Sequence, residues 1–434
     1  MQKIYLLSFG CQMNEYDTEI VRSILSAAGY VFTQDDLDAD IIMLNTCSVR
    51  ENAHRKVYGH IHDLRHRRNG KPALIGILGC MATGLRQELI ENKHLALDFV
   101  VGPDSYKRLP EILAAAVDGP GYDVTLSECE TYADVSPARA EGVNAWVAVM
   151  RGCNNFCSFC IVPHARGRER SRPAGNIIDE VRRLADEGFK QVTLLGQNVN
   201  SYRQDGVDFA SLLDQVSTVK GIERIRFTSP HPKDFPADLI QVLATNPKVC
   251  KQVHLPLQAG NDRVLELMRR HYTGREFMSL VGELRAACPS LALSTDIIVG
   301  FPTETDAEFE ETFELTREAR FDSAFIFKYS PRPRTEAALK WKDDVSEAKK
   351  TARIVRLNKL QTDISLQKNK ELVGKVQAVL VESSGKINDG GAYGRNDANK
   401  IVALAQGAFK AGNMVNVRIT RATPHQLKGE LLSS

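Results

Sequence analysis

Short apolar runs alternate with amphipathic stretches over roughly the first 118 residues of this chain. Ile4 to Phe9, Ile41 to Leu44, Ala73 to Leu78 and Phe99 to Val101 have the length and apolar content of buried strands. Between the first two, Ile20, Val21, Ile24, Leu25 and Ala28 share one helical face, with Asn14 as a candidate cap and Gly29 as the stop. Ser48-Val49-Arg50-Glu51 reads as a capping box that opens a second helix. Leu85 to Ile90 opens a third helix, and a fourth runs from about Asp104 to Val117. This β-α repetition predicts a parallel sheet covered by helices.

Residues 119–144 carry Gly, Pro, Asp and Glu with little periodicity and read as a linker; Cys129 within them reads as incidental. From Ala145 the β-α rhythm restarts, with strands expected at 145–150, 191–196, 223–228, 251–255, 291–299 and 323–329. Six such units fit either a curved, partly closed barrel or an open sheet. A polar, Lys/Arg-rich helical stretch reaches about Lys370. Beyond it Val376 to Val381 and Val415 to Thr420 read as strands, with Gly385, Gly390, Gly391 and Gly394 between them. That pattern predicts a small all-β barrel. The expected organisation is therefore an N-terminal α/β domain over 1–118, a linker over 119–144, a central α/β domain over 145–370 and a β module over 371–434.

Composition narrows the class. Of 434 residues, 43% are hydrophobic and 25% charged, as in ordinary globular proteins. No run approaches a membrane span, and Met1 to Leu7 is too short and too soon interrupted for a signal peptide, so a cytoplasmic protein is expected. The net charge is +2, so any basic signal is local. Three clusters stand out: Arg65-His66-Arg67-Arg68; Arg166, Arg168, Arg170 and Arg172; and Lys349, Lys350, Arg353, Arg356 and Lys359. Each reads singly as a solvated face, and together they hint at a polyanionic partner.

Nine cysteines in a chain without an export signal point to metal binding or catalysis rather than disulfides. Cys153, Cys157 and Cys160 lie at spacings of four and three in a loop that follows a strand. Three thiolates on a cubane cluster leave one iron open to a ligand. The alternative is a zinc site with His164 as fourth ligand, although no second cysteine pair follows. Cys250 and Cys288 are isolated and read as buried thiols. Cys11, Cys47 and Cys80 each follow a predicted parallel strand, at the edge where open α/β sheets bind ligands. They could hold a second cluster or simply be buried; their contexts, Gly10-Cys11-Gln12, Asn45-Thr46-Cys47-Ser48 and Gly79-Cys80-Met81, are polar and turn-like, which favours ligation.

Cys-x3-Cys-x2-Cys with an aromatic before the last cysteine resembles the radical S-adenosylmethionine (SAM) superfamily. Phe-Gly-Cys-Gln-Met-Asn, Asn-Thr-Cys-Ser-Val-Arg and Gly-Cys-Met-Ala resemble its methylthiotransferases. Leu195-Gly196-Gln197-Asn198-Val199-Asn200-Ser201-Tyr202 is similar to the MiaB-type branch that acts on isopentenylated tRNA. The resemblance spans nearly the whole chain and implies a partial (β/α)6 radical SAM barrel at its centre and a TRAM barrel at its C-terminus. It implies two [4Fe–4S] clusters, with Cys153, Cys157 and Cys160 holding the one whose free iron binds SAM, and Cys11, Cys47 and Cys80 holding an auxiliary one that carries sulfur. One SAM methylates that sulfur; a second yields a 5′-deoxyadenosyl radical that activates the adenine C2–H bond. Such a bond is beyond acid–base side chains, so a cofactor must supply the chemistry.

The same resemblance suggests cofactor contacts at Phe159, Gly196, Gln197, Ser229, His254, Ile298 and Gly300. Gly196-Gln197 departs from the Gly-Gly-Glu found in many superfamily members. It also places Arg166, Arg168, Arg170 and Arg172 near phosphates or the cofactor carboxylate, and Arg395 and Lys400 where TRAM modules grip RNA, with Asp397 as an opposing charge. The implied partners are a tRNA anticodon stem-loop, an electron donor and a sulfur donor. Methylthiotransferases of threonylcarbamoyladenosine tRNA or of a ribosomal-protein aspartate, and a metal-stabilised RNA-binding protein, are the competing readings.

Overall fold

The structure, a computed structural model, describes residues 1–48, 51–68, 70–139, 142–384, 391–404 and 409–432, with the backbone alone at 51–55 and 384. The expected capping box runs through Val49 and Arg50, and two of the expected turn glycines are Gly385 and Gly390; these four lie outside the described residues.

The N-terminal unit is a six-stranded sheet. Its elements are β1 (Lys3–Phe9), α1 (Gln12–Ala27), β2 (Val31–Phe32), β3 (Ile41–Thr46), α2 (Glu51–Arg68), β4 (Leu74–Leu78), α3 (Cys80–Gly84), α4 (Arg86–Glu91), β5 (Phe99–Val101), α5 (Leu109–Ala115) and β6 (Gly121–Asp123). The strands are all parallel, in the order β2-β1-β3-β4-β5-β6. Burial on both faces explains the near-continuous apolar runs. Ile41, Met43, Leu78 and Phe99 pack with α1 and α5, while Ile42, Leu44, Ile77 and Val100 pack with α2 and α4. Asn14 is not the cap of α1. Cys11 occupies that position, and Asn14 is fully buried.

The stretch expected as a linker is packed rather than free. Gly121–Asp123 pairs with β5 as the sixth strand. Tyr132 is fully buried; its hydroxyl donates to Pro103 O (3.0 Å) and accepts from Tyr106 N (2.9 Å). Sequence composition does not reveal this, because the contacts come from α5 and its approach.

The central unit carries β7 (Asn144–Ala148), β8 (Met150–Arg151), α6 (Val162–Arg166), β9 (Arg170–Ser171), α7 (Ala174–Asp186), β10 (Gln191–Leu195), β11 (Arg203–Gln204), β12 (Val207–Asp208), α8 (Phe209–Ser217), β13 (Arg224–Phe227), α9 (Ala237–Thr245), β14 (Gln252–His254), α10 (Asp262–Leu267), α11 (Gly274–Ala287), β15 (Ala292–Val299), α12 (Asp306–Ala319), β16 (Ser323–Lys328), α13 (Glu336–Lys340) and α14 (Glu347–Lys370). β7, β10 and β13 form one parallel half and β14, β15 and β16 the other. A parallel bridge from Ile225 to Val249 joins the halves, so six strands run in chain order as an open barrel. Val147, Val192, Leu194, Ile225 and Phe227 face the helices. Strand alternation sends Gln191, Thr193, Arg224 and Arg226 to the inner face.

The C-terminal unit is a closed five-stranded barrel of β17 (Val376–Ser384), β18 (Ala392–Asn396), β19 (Ile401–Leu404), β20 (Met414–Ala422) and β21 (Leu427–Leu431). It docks against the inner-face arginines of β13. Arg224 donates to Arg395 O (2.6 Å) and Ala378 O (2.8 Å), and Arg226 to Asn396 O (2.8 Å) and Asp397 O (3.0 Å). Asp397 accepts from Lys251 N at 3.0 Å, so its carboxylate faces this joint.

Within basic clusters 65–68 and 349–359, Arg68, Lys350 and Arg353 are buried, while His66, Arg67, Lys349, Arg356 and Lys359 stay exposed as a solvated face would. Arg67 pairs with Asp36 at 2.6 Å, Arg68 donates to Ala39 O and Pro72 O at 2.9 Å, and Arg65 to Ala96 O at 2.7 Å. Lys350 pairs with Asp343, Arg353 with Glu304 and Asp306, and Arg356 with Glu310.

Candidate active site

Strand order places the dispersed cysteines. The sheet reverses its winding between β1 and β3, and the crevice beyond the carboxyl ends of strands at such a switch point is a ligand site. Cys11 follows β1, Cys47 follows β3 and Cys80 opens α3 after β4. Cys47 N donates to Phe9 O at 2.8 Å, tying two of the turns together. A Cβ on Gly10 would sit 2.7 Å from Cys47 Cβ, so only glycine lets the Cys11 turn approach so closely. Asn14 and Asn45 brace these turns from inside. Cys11 Sγ donates to Asn14 Oδ1 (3.3 Å), Asn14 Nδ2 to Asn45 Oδ1 (3.1 Å), and Asn45 Nδ2 to Asn14 O and Thr18 Oγ1 (3.0 Å each).

The local triad is held by backbone. Gly152 has φ +76°, and a Cβ there would stand 2.0 Å from Arg168 O. Cys153 N donates to Gly167 O (3.2 Å) and Cys160 N to Cys157 O (2.9 Å). Ser158 anchors the loop to the barrel, its N on Met268 O (3.1 Å) and its Oγ on Leu267 O (2.6 Å). Arg270, itself buried, donates to Cys157 Sγ at 3.4 Å. A cavity of about 250 Å³ opens against Cys157 and Cys160, with Phe156, His164, Arg269 and Arg334 among its walls.

The segments that carry the two sets pack together where α3 meets α6. Arg166, at the end of α6, donates from Nε to Cys80 Sγ (3.0 Å) and from Nη2 to Asp17 Oδ2 (2.7 Å). Asp17 Oδ1 accepts from Arg151 (2.6 Å), which precedes Gly152 and stacks on the Tyr132 ring at 4.6 Å. Desolvation pushes the Cys153 thiol up to about 11 and Cys160 to about 12. A metal must therefore displace those protons. Cys11 is drawn down to about 6 by the hydrogen bond from Cys47, with Arg166 adding to the effect. Desolvation raises Cys80 against the pull of Arg166.

These residues fit iron–sulfur clusters better than single ions. Each set offers three thiols and no carboxylate, the soft donor set such clusters take. Among the described residues no three His, Cys, Asp or Glu side chains gather closely enough for one ion, so a zinc site with His164 is not assembled. A cubane spreads its thiolates over separate irons, which sets them wider apart.

The arginines expected at phosphates divide. Arg166, Arg170 and Arg172 are 2%, 7% and 1% exposed. Arg170 pairs with Asp104 and Arg172 with Glu180, so these three charges serve the junction between the N-terminal and central units instead of an RNA face. Arg168 alone is exposed, over the Phe156 ring at 4.4 Å. Lys400 is also committed internally, to Asp322 and Asn369 at 2.8 Å each, and Arg395 lies 3.3 Å from Glu382.

Of the expected cofactor contacts, Gln197 has a buried Oε1, an acceptor at the end of β10 with no hydrogen-bond partner among the described residues. Gly196 abuts Met150, where a Cβ would come within 2.8 Å. Ser229 has φ +60°, and its carbonyl accepts from Val199 N at 3.3 Å. His254 stands between Ser294 Oγ (3.0 Å) and Asp296 Oδ2 (3.1 Å) on the inner wall of β14 and β15. Phe159 and Ile298 are half-buried against the barrel core. Gly300, at φ +70°, leaves room for the Lys350 stem. Sequence reading missed Asp17, Arg151, Arg270 and His231. Burial, with the Arg270 charge adding, lowers His231 to about 2, so its ring is neutral. Nδ1 accepts from Lys233 N, leaving a buried Nε2 without a partner among the described residues. The available signal was position: His231 follows the end of a barrel strand, as Gln197 does.

Three families match segments of the chain: the radical SAM superfamily over residues 147–316, the uncharacterized protein family UPF0004 over 3–102, and the TRAM domain over 370–432. Among similar curated proteins, the tRNA-2-methylthio-N(6)-dimethylallyladenosine synthase of Prosthecochloris aestuarii is 44% identical, over 99% of this chain and 98% of its own length. The proteins of the same name from Geotalea uraniireducens and Porphyromonas gingivalis are 46% and 45% identical, over 99% and 100% of this chain and 98% and 96% of theirs. Among solved structures, the radical SAM methyltransferase TsrM of Kitasatospora setae, with cobalamin and a [4Fe–4S] cluster, has a TM-score of 0.58 at 14% identity, over 87% of this chain and 81% of that one. The cobalamin-dependent SAM radical enzyme OxsB has 0.53 at 13%, over 83% and 56%. These two share the fold. With its triad of cysteines in a barrel loop, its sheet-edge cysteines and near full-length identity of this degree, the chain belongs to the tRNA-2-methylthio-N(6)-dimethylallyladenosine synthase family of the radical SAM superfamily.

Proposed function

We propose that this enzyme converts N6-dimethylallyladenosine beside the tRNA anticodon to its 2-methylthio derivative. The observation that carries the reading is the packing of α3, which Cys80 opens, against α6, which follows the Cys153–Cys160 loop, so that the two cysteine sets lie on adjoining segments of two folding units. Cys153, Cys157 and Cys160 would hold the cluster that binds SAM, and Cys11, Cys47 and Cys80 an auxiliary one. When bound, the clusters supply the electron for SAM cleavage and the sulfur for transfer. The protein's own part is placement and enclosure. The sheet edge would present one triad towards the other, and the barrel wall would screen a reactive radical from side reactions. Gln197 Oε1 and His231 Nε2 are polar atoms available to orient the cofactor. His254 and Asp296 present a polar pair on the inner wall. The Phe325 and Phe327 side chains, 56% and 44% exposed on the same strand edge, offer apolar surface to a dimethylallyl group. An electron donor and a sulfur donor complete the cycle.

The test is anaerobic incubation of reconstituted enzyme with SAM, dithionite, sulfide and an isopentenylated anticodon stem-loop. Mass spectrometry should find the methylthio adduct and 5′-deoxyadenosine. Product on a threonylcarbamoylated stem-loop, with none on the isopentenylated one, would overturn the assignment.

A further inference from the structure

Arg166 and its partners hold more charge than the protein alone balances. Arg151 and Arg166 are 1% and 2% exposed and share one carboxylate, that of Asp17, which is fully buried. Apart from the cysteine thiols, the described groups around them do not supply a second anion. Asp104 is engaged with Arg170 at 3.0 Å, Tyr106 OH donates to Asp17 at 3.4 Å, and Tyr132 presents its ring face to Arg151. One positive charge remains, and a buried cation without a counter-charge is costly. Arg166 points two of its three nitrogens at partners, Cys80 Sγ and Asp17; Nη1 is buried with none among the described residues.

What lies next to this surplus is the set of thiols assigned to the auxiliary cluster. Three thiolates around an iron–sulfur core form an anionic group, and hydrogen bonds to its sulfurs together with nearby charge govern its reduction potential. A fixed cation stabilises the reduced, more negative state over the oxidised one.

We infer that Arg166 is the positioning residue of the auxiliary site: it holds the Cys80 thiolate through Nε–H, supplies the counter-cation of the cluster, and raises its reduction potential. Asp17 opposes it by drawing off part of the charge. Because α6 directly follows the Cys153–Cys160 loop, the same side chain links the loop of one triad to a ligand of the other. The inference rests on the assignment of Cys11, Cys47 and Cys80 as cluster ligands.

The test isolates that cluster in the full chain. With Cys153, Cys157 and Cys160 all changed to Ala, the protein is reconstituted with iron and sulfide and titrated potentiometrically by EPR. Arg166→Gln in this background should move the midpoint to more negative potential, Arg166→Lys should move it less, and Asp17→Asn should move it the opposite way. A role in folding alone predicts lost stability without opposite shifts. An iron-replete Arg166→Gln protein with an unchanged midpoint would overturn the inference, as would shifts of the same sign in Arg166→Gln and Asp17→Asn. Where Arg166→Gln does not fold, the opposed shifts of Arg166→Lys and Asp17→Asn decide it. A parent protein that takes up no iron overturns the ligand assignment itself, and the inference with it.

Discussion

Replacing Gly152 by alanine tests whether the cluster loop depends on one backbone conformation. Gly152 lies at φ +76° between Arg151 and Cys153. An L-residue in the left-handed region costs roughly 1–2 kcal/mol. The added Cβ would also stand 2.0 Å from Arg168 O and 2.7 Å from Gly167 O. The second carbonyl is the acceptor for Cys153 N, so the strand cannot retreat without losing that bond. Overpacking of this kind adds about 1–3 kcal/mol. The sum, roughly 2–5 kcal/mol, corresponds to about a thirtyfold to several-thousandfold loss of the competent loop conformation, at a decade per 1.4 kcal/mol. The assay is iron and sulfide content after anaerobic reconstitution, with circular dichroism melting as the check on folding. Iron should fall from about eight per chain towards about four, with the auxiliary site still filled. Gly175→Ala in α7, where a Cβ would meet nothing within 4 Å, is the control and should bind iron like the wild type. A Gly152→Ala protein that binds iron fully and melts unchanged would refute the reasoning.

Changing Cys11, Cys47 or Cys80 to Ala should abolish the methylthio adduct while 5′-deoxyadenosine still forms by chromatography; loss of both products alike would contradict the division between the triads. Deleting residues from 371 onward should weaken tRNA binding in filter or anisotropy assays while both clusters load. Because Lys400 and Arg395 are engaged internally, Lys400→Ala should instead lower the melting temperature with less effect on tRNA affinity. Glu308 is held down at about 2 by its hydrogen bonds to Arg263, so its stabilisation is present above the ordinary carboxylate range and fades as pH falls from about 4.5 to 2. Glu308→Gln keeps the cap but should lose about 1–2 kcal/mol at pH 7, after allowance for the half-exposed Arg263, less than that at pH 3 and little at pH 2, as read by urea unfolding.

The six strands of the central unit were legible because apolar runs of strand length recur between amphipathic helices, whereas of the five strands of the C-terminal barrel only Val376 to Val381 and Val415 to Thr420 stood out. The local triad was legible from spacing, since one loop carries all three thiols. The dispersed triad needed topology: only the placement of β1, β3 and β4 side by side turns three distant cysteines into neighbours. Charge was the poorest guide. Arg166 reads as one member of a basic run, yet its carboxylate partner stands 149 positions earlier in the chain. Asn14 reads as a helix cap because nothing local reveals Asn45 beneath it. Tyr132 sits in a stretch without periodicity, and its burial comes entirely from contacts with distant segments.

The joint between the barrel and the C-terminal module has an asymmetry with a consequence for how these enzymes can diverge. On the barrel side it depends on two particular guanidinium groups, Arg224 and Arg226. On the module side these two meet main-chain carbonyls of Ala378, Arg395, Asn396 and Asp397, atoms that every amino acid carries, while the Asp397 carboxylate on Lys251 N and the Lys400 ammonium on Asp322 and Asn369 add side-chain contacts. The module can therefore exchange side chains on its outer surface, and with them its grip on different RNA shapes, while the joint holds it at the same angle to the barrel.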